Sequence, residues 1–183
     1  MKKPPLTPEE KLKRILRTAR MNGLSVVIIA GLGVLISIGD WFGMAVGAAI
    51  VYGGWTELGG RKQILAGHIT GVRLLVRSQW IVLAAIEIYC AVKLGFDRNH
   101  GVSPELREAM VDLGIDMAAL EPSLRLAFYG TYGAVAAITL IYQGGMARYY
   151  GRSSAVVKAA LEARARPVVT RVNGAADPED ELT

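Results

Sequence analysis

Glu87 is the residue in this sequence best placed to do chemistry. It stands ten residues beyond Arg77 and is the only charged residue between positions 78 and 92. If this stretch is a membrane-crossing helix, the carboxyl group lies ~15 Å into a hydrocarbon core ~30 Å thick. A carboxyl there is costly and normally faces protein or water, so Glu87 is a candidate proton or cation site. The structural alternative is a protonated or hydrogen-bonded side chain that joins helices, with a partner among Ser37, Thr139, Tyr132 and Gln143.

Two other acidic residues have structural explanations. Glu57 lies near the end of an apolar stretch, beside Arg61 and Lys62, and an interfacial salt bridge is the favoured interpretation. Asp40 lies between two apolar stretches, where it is expected to cap the helix that begins at Trp41.

The remaining reactive residue types do not form a recognisable catalytic or metal-binding set. The two histidines, His68 and His100, are expected on opposite sides of the membrane and cannot share a metal ion. Cys90 is the only cysteine, which rules out an internal disulfide and a cysteine-rich zinc site. The sequence has no phosphate loop, nucleophile elbow or paired catalytic carboxylates. We therefore expect no enzyme activity, no metal and no cofactor.

The elements that must position Glu87 are long apolar stretches. The chain has 183 residues, of which 52% are hydrophobic, and its mean hydropathy is +0.33. Only Asp40 is charged between residues 21 and 56. Four stretches are candidate membrane spans: 21–39, 41–56, 78–94 and 126–147. This pattern predicts an all-α, polytopic membrane protein with four transmembrane helices in a lipid bilayer.

The distribution of charge predicts an orientation. Basic residues cluster before the first span, between the second and third, and after the fourth, whereas the turn at 40 has none. The segment 95–125 carries more acidic than basic residues. The positive-inside rule then places both termini in the cytoplasm, in an inner or plasma membrane. This flank bias accounts for the net charge of +5, and no nucleic-acid partner is expected.

The chain divides into eight predicted segments. They are a cytoplasmic amphipathic helix (1–20), a first transmembrane hairpin (21–60), a cytoplasmic amphipathic connector (61–77), a third transmembrane helix (78–94), an external helical insert (95–125), a fourth transmembrane helix (126–147), a cytoplasmic amphipathic helix (148–172) and a disordered acidic tail (173–183). The amphipathic segments are expected at the membrane surface.

Local sequence signals mark several helix ends. Thr7, Pro8 and Glu10 have the order of an N-cap, a first-turn proline and a capping-box glutamate. The helix that follows is either an amphipathic helix on the membrane surface or the charged end of the first span. In the external insert, Ser103 and Pro104 are expected to begin a short helix that stops at Gly114.

Glycines are concentrated in the first hairpin. Gly39, Gly43 and Gly47 form two consecutive G-x-x-x-G steps, which allow another helix to approach closely. That neighbour is either another helix of the same chain or a second subunit.

The chain also contains a weak internal repeat. A glycine pair, five residues and then Gly-Arg occur twice, as Gly53, Gly54, Gly60, Arg61 and as Gly144, Gly145, Gly151, Arg152. The entries to the first and third spans also match, as Arg20-Met21-Asn22 and Arg77-Ser78-Gln79. Two parallel copies of a helical hairpin would explain this pattern, and chance matches between glycine-rich helix ends are the alternative.

These observations favour a non-catalytic subunit or scaffold of a membrane assembly, with other membrane protein chains as partners in a homo- or hetero-oligomer. The alternative is a small oligomeric channel or transporter that uses Glu87 as a cation or proton site. A membrane enzyme is the least favoured class.

Overall fold

The computed structural model describes residues 6–96, 104–114 and 116–165. These residues form six helices and no strand, so the predicted all-α class is confirmed. The tail 173–183, residues 166–172 of the last amphipathic segment and His100 lie outside the described residues. The helices are α1 (Pro8–Ile36), α2 (Trp41–Leu65), α3 (Gly71–Phe96), α4 (Pro104–Asp112), α5 (Met117–Arg152) and α6 (Ser154–Ala165).

The four long helices pack in chain order. α1 contacts α2, α2 contacts α3, and α3 contacts α5, while α6 folds back onto α1. The start of α1, the α2–α3 turn, the end of α5 and all of α6 meet at one end of the bundle, which we call the basic end. The α1–α2 turn and the start of α5 lie at the opposite end, which we call the far end.

The predicted caps of α1 and α2 are confirmed. The Thr7 backbone N–H donates to Glu10 Oε2 at 2.8 Å, and the Glu10 N–H donates to Thr7 Oγ1 at 3.3 Å. Asp40 Oδ1 accepts a hydrogen bond from the Phe42 N–H at 3.1 Å. Gly39 lies in the turn before Asp40 with φ +103°, a conformation that favours glycine because it lacks Cβ.

The far end also follows local signals, with one difference. α4 begins at Pro104 and is followed by Gly114 with φ +74°, as the sequence predicts. Ser103, the other residue expected at its start, lies outside the described residues. α5, however, begins at Met117, capped by Asp116, and passes through Pro122. The helix that contains the fourth predicted span therefore starts nine residues before position 126.

The main hydrophobic core lies at the basic end. Its fully buried members come from five helices: Leu12 and Ala19 of α1, Ile64 of α2, Leu75 of α3, Tyr150 of α5 and Val157 of α6. The apolar faces of α1 and α6 therefore pack inside the protein. α1 is unbroken from Pro8 to Ile36, which agrees with the interpretation of its first turns as the charged end of the first span. The membrane-surface location of the amphipathic segments stays a prediction. The predicted connector 61–77 is also mostly helical, because α2 runs to Leu65 and α3 starts at Gly71.

The rest of the bundle is far less buried. Three helical stretches, Pro8–Ile36, Gly71–Phe96 and Met117–Ala165, are long and apolar enough to cross a membrane. Only 17%, 33% and 6% of their most apolar parts are buried within the protein. Large side chains such as Ile29, Ile138 and Ile141 point outward, so the outer surface of these helices is rich in exposed apolar groups.

Candidate functional site

The most deeply buried charged residue of the described chain is Glu57, whose exposed fraction is 1%. Tyr150 Oη donates to Glu57 Oε1 at 2.5 Å, and Asn22 Nδ2 donates to Glu57 Oε2 at 2.7 Å. The carboxyl thus connects α2 to α1 and α5. Both hydrogen bonds are short, as expected when a buried carboxyl group is the acceptor.

Further polar side chains extend this arrangement into a layer. Tyr142 Oη donates to Asn22 Oδ1 at 2.8 Å, which adds a second link between α5 and α1. Gln79 of α3 approaches the Glu57 carboxyl, while its Nε2 donates to Ser78 Oγ at 3.1 Å. We call the set Asn22, Glu57, Ser78, Gln79, Tyr142, Gln143 and Tyr150 the polar layer.

The polar layer contains two acceptors without a partner. Gln79 is 1% and Gln143 is 6% exposed, and the Oε1 atom of each is buried without a hydrogen bond. Each orphaned carbonyl lowers stability unless a water or another donor satisfies it. The layer therefore combines amide and hydroxyl groups with Glu57 as its only acid.

Close helix contacts explain why a residue as short as asparagine reaches Glu57. A Cβ added at Gly54 would stand 2.9 Å from the Gly23 carbonyl oxygen, and one added at Gly23 would stand 3.2 Å from the Gly54 carbonyl oxygen. The backbones of α1 and α2 thus touch beside Asn22 and within one turn of Glu57. α2 and α3 meet similarly, because a Cβ at Gly60 would lie 2.8 Å from the Gly71 carbonyl oxygen.

The layer marks the inner boundary of the basic end. Each helix that contributes to the polar layer also carries an arginine within five residues of one of its layer residues. These are Arg20, Arg61, Arg77 and Arg148. Tyr150 joins the layer to the hydrophobic core, since it belongs to that core and donates to Glu57.

The predicted salt bridge of Glu57 is wrong. Its hydrogen bonds go to Asn22 and Tyr150, and no ion pair joins it to Arg61 or Lys62 in the described part of the chain. The sequence did contain a signal. Asn22 and Gln79 occupy the matching entry positions of spans one and three, and Tyr142 stands before a repeated glycine pair. A polar residue at the same depth of several spans indicates a shared layer.

Glu87 lies elsewhere, on a flank of α3 toward the far end. It is partly exposed, and its Oε1 is buried with no hydrogen-bond partner. None of its four predicted partners bonds to it in the described residues. Exposed residues of the same helix face surround it: Trp80, Ala84 and Ala91. Glu57 and Glu87 are therefore separate sites.

The glycines proposed for helix packing have different surroundings. A Cβ at Gly47 would meet Val34 of α1, and one at Gly43 would meet Ser37 and Asp40. These neighbours belong to the same chain, as in the intrachain alternative. Gly39 lies in the turn.

The two copies of the repeated motif are not packed alike. Cβ atoms added at Gly53, Gly54 and Gly60 would meet neighbouring helices, whereas Gly144, Gly145 and Gly151 have open space around them. Arg61 is half-buried, with its Nε unpaired, whereas Arg152 is exposed. The repeat stays a prediction.

Other candidate residues have plain surroundings. His68 lies exposed in the α2–α3 turn. Cys90 is buried at 1% exposure as a free thiol. Within residues 6–96, 104–114 and 116–165, no three His, Cys, Asp or Glu side chains come together as metal ligands.

Comparison with known proteins gave no relative: no family model matches this chain, and neither a curated protein nor a solved structure matches it.

Proposed function

We propose that this protein is a non-catalytic, multi-pass membrane protein that acts as a subunit or scaffold of a membrane assembly. In this proposal α1, α2, α3 and α5 cross an inner or plasma membrane, with the basic end and both termini in the cytoplasm. The observation that carries the proposal is the unpartnered carboxyl oxygen of Glu87 on a partly exposed face of α3.

Four spans are supported by the position of α2. It contains 25 residues, which gives a length of ~38 Å. It packs between α1 and α3, two of the helices that are apolar enough to cross a membrane. Trp41 and Trp55 of α2 are 79% and 68% exposed, as expected for anchors in the two interfacial regions.

The surroundings of Glu87 favour a helix from another chain as its partner. A carboxyl group in hydrocarbon without a donor is strongly unfavourable. Ala84 and Ala91 lie exposed one turn on either side of it, and small residues let a second helix approach closely. A partner helix seated on Ala84 and Ala91 would supply a donor to Glu87.

The outward surface of α5 gives additional support. Val135, Ile138 and Ile141 are 42%, 66% and 76% exposed, and α5 packs in the bundle mainly against α3. This surface is suited to lipid, as expected for a helix that crosses a membrane.

The alternative is a small oligomeric channel or transporter. The same observation favours it, because copies assembled through the Glu87 face would place several carboxyl groups around a common axis. Such a ring of acids selects cations.

Mild extraction followed by native mass measurement tests the proposal. We expect the wild-type chain in a complex of defined stoichiometry and the Glu87→Leu variant as a monomer. A defined heteromeric complex favours the subunit, and a symmetric homo-oligomer favours the channel. A wild-type chain that is monomeric in every mild detergent contradicts both.

Cysteine cross-linking locates the interface. In a Cys90→Ala background, Ala84→Cys should form an intermolecular cross-link in membranes, and Ile141→Cys on the outer face of α5 is the matched control. Equal cross-linking at both positions would mean that contact is non-specific. For the channel, Glu87→Gln should abolish proton or cation flux in liposomes, and unchanged flux removes that alternative.

A further inference from the structure

A seam between α1 and α5 at the basic end forms a cleft with a distinctive lining. Its volume is about 460 Å³, and its walls are Arg14, Arg17, Thr18, Met21, Asn22, Ser25 and Tyr142. A second cleft of about 480 Å³ continues the seam, since it shares Arg14 and Thr18 and adds Lys11, Met146 and Tyr149. The seam therefore combines cations, hydroxyl groups and apolar side chains.

The cations of the seam are available to a ligand. Arg14 and Arg17 are exposed, and neither forms an ion pair with a carboxylate in the described residues. They lie one turn apart on α1, so both guanidinium groups line the same opening. A guanidinium pair of this kind matches the geometry and charge of a phosphate group.

The lining changes character along the seam. Arginines come first, then Asn22 and Tyr142 with their 2.8 Å hydrogen bond. Exposed apolar residues of α1 follow toward the far end, with Leu24 at 44% and Ile28 at 52% exposure. This order, from cation through polar groups to apolar surface, is that of a phospholipid from its phosphate through its glycerol esters to its acyl chains.

We infer that the α1–α5 seam is a binding site for the phosphate-bearing headgroup of an anionic phospholipid, held by Arg14 and Arg17. The acyl chain follows the outer surface of α1 beyond Ser25. Because Asn22 lines the cleft and also donates to Glu57, the bound headgroup lies next to the polar layer. The inference rests on the membrane orientation in the proposed function and needs no oligomer.

A second basic cleft provides a matched control. It lies at the same end of the bundle, has a volume of about 610 Å³, and is lined by Arg73, Arg77 and Trp80 among others. Neutralising Arg73 and Arg77 removes the same charge from the same membrane face. If lipid binding falls when Arg14 and Arg17 are neutralised but not when Arg73 and Arg77 are, the seam is a binding site. General attraction of a basic surface to anionic lipid would lower binding in both variants.

The experiment counts lipid adducts on the full-length chain by native mass spectrometry, with phosphatidylglycerol and phosphatidylcholine as probes. Adducts are counted on the monomer peak, so a failure of assembly does not affect the readout. We expect Arg14→Gln/Arg17→Gln to lower the apparent affinity for phosphatidylglycerol about tenfold or more. Arg73→Gln/Arg77→Gln should lower it less than threefold, and phosphatidylcholine binding should not change in either variant.

Ser25→Trp tests the site without changing its charge. Tryptophan at this position fills the cleft. We expect it to lower phosphatidylglycerol binding as much as Arg14→Gln/Arg17→Gln does, with the melting temperature unchanged. If Arg14→Gln/Arg17→Gln fails to fold, this variant still decides the question.

Three results overturn the inference. They are equal phosphatidylglycerol binding by wild type and Ser25→Trp, equal losses in the two double-arginine variants, and inorganic phosphate competing as well as the lipid. The last result would assign the seam to a soluble phosphate compound.

Discussion

The two carboxyl groups that lie inside the bundle differ in how their hydrogen bonds are completed. Glu57 is buried at 1% exposure and accepts from Asn22 and Tyr150 of two other helices. Glu87 is partly exposed and has an unpaired oxygen. Both oxygens of the Glu57 carboxyl accept hydrogen bonds from the same chain. Glu87 Oε1 accepts none, so a donor from another chain could bind to it. Position within or beside an apolar stretch therefore does not decide which acid is hydrogen-bonded inside the chain.

The same contrast holds for the halves of the molecule that contain the two acids. The basic end has the fully buried core, in which five helices meet. In the rest of the bundle most apolar side chains face outward. Stability should therefore be concentrated at the basic end, and contacts with lipid or other chains elsewhere.

The largest effect is expected from Glu57→Leu. The substitution leaves the buried donors Asn22 Nδ2 and Tyr150 Oη without an acceptor, and we expect the free energy of unfolding to fall by about 3 kcal/mol. The measurement is an SDS titration of the purified chain in a fixed detergent. Glu57→Gln keeps one acceptor oxygen and should recover about half of the loss. A loss below about 1 kcal/mol for Glu57→Leu would remove the distinction between the two acids.

Gly54→Ala should lower the free energy of unfolding by about 2 kcal/mol, because the new methyl group forces α1 and α2 apart. The added Cβ would stand 2.9 Å from the Gly23 carbonyl oxygen. Gly145→Ala is the matched control from the second copy of the repeat. Gly145 has open space around it. We expect the substitution to raise the free energy of unfolding by about 0.5 kcal/mol, since alanine favours a helix more than glycine does. Equal losses at both positions would show that the two copies are packed alike.

Tyr150→Phe isolates one hydrogen bond of the polar layer. The ring stays packed in the core while the Glu57 carboxyl loses a donor, so we expect a loss of about 1 kcal/mol in the same titration. Tyr149→Phe, which removes a hydroxyl from the neighbouring and less buried ring, is the control and should be neutral. A neutral Tyr150→Phe would mean that the short Tyr150–Glu57 contact does not contribute to stability.

No loss of stability is expected from Glu87→Leu. No hydrogen bond is lost and an unpartnered buried oxygen is removed, so the free energy of unfolding of the monomer should stay the same or rise. The same variant should nevertheless lose the native complex. A loss comparable to that of Glu57→Leu would place Glu87 in an intrachain role.

Much of the fold was predictable from local signals. The capping box of α1, the Asp40 cap of α2 and the stop at Gly114 depend on residues within four positions of one another, and all three are present. Long apolar stretches predicted four helices suited to a membrane, and three such helices are found, with α2 not among them. The start of α5 was predicted less well, because Asp116 caps a helix that tolerates Pro122.

The sequence by itself determined the helical class, the apolar stretches and the ends of several helices, because these depend on composition and short-range hydrogen bonds. Only the tertiary structure decided that Glu57 is satisfied and Glu87 is not. The partners of Glu57 lie 35 and 93 residues away in sequence. They reach it because glycine backbones bring α1 and α2 into contact and because Tyr150 is held in the core. Such long-range pairing is set by how helix faces pack together.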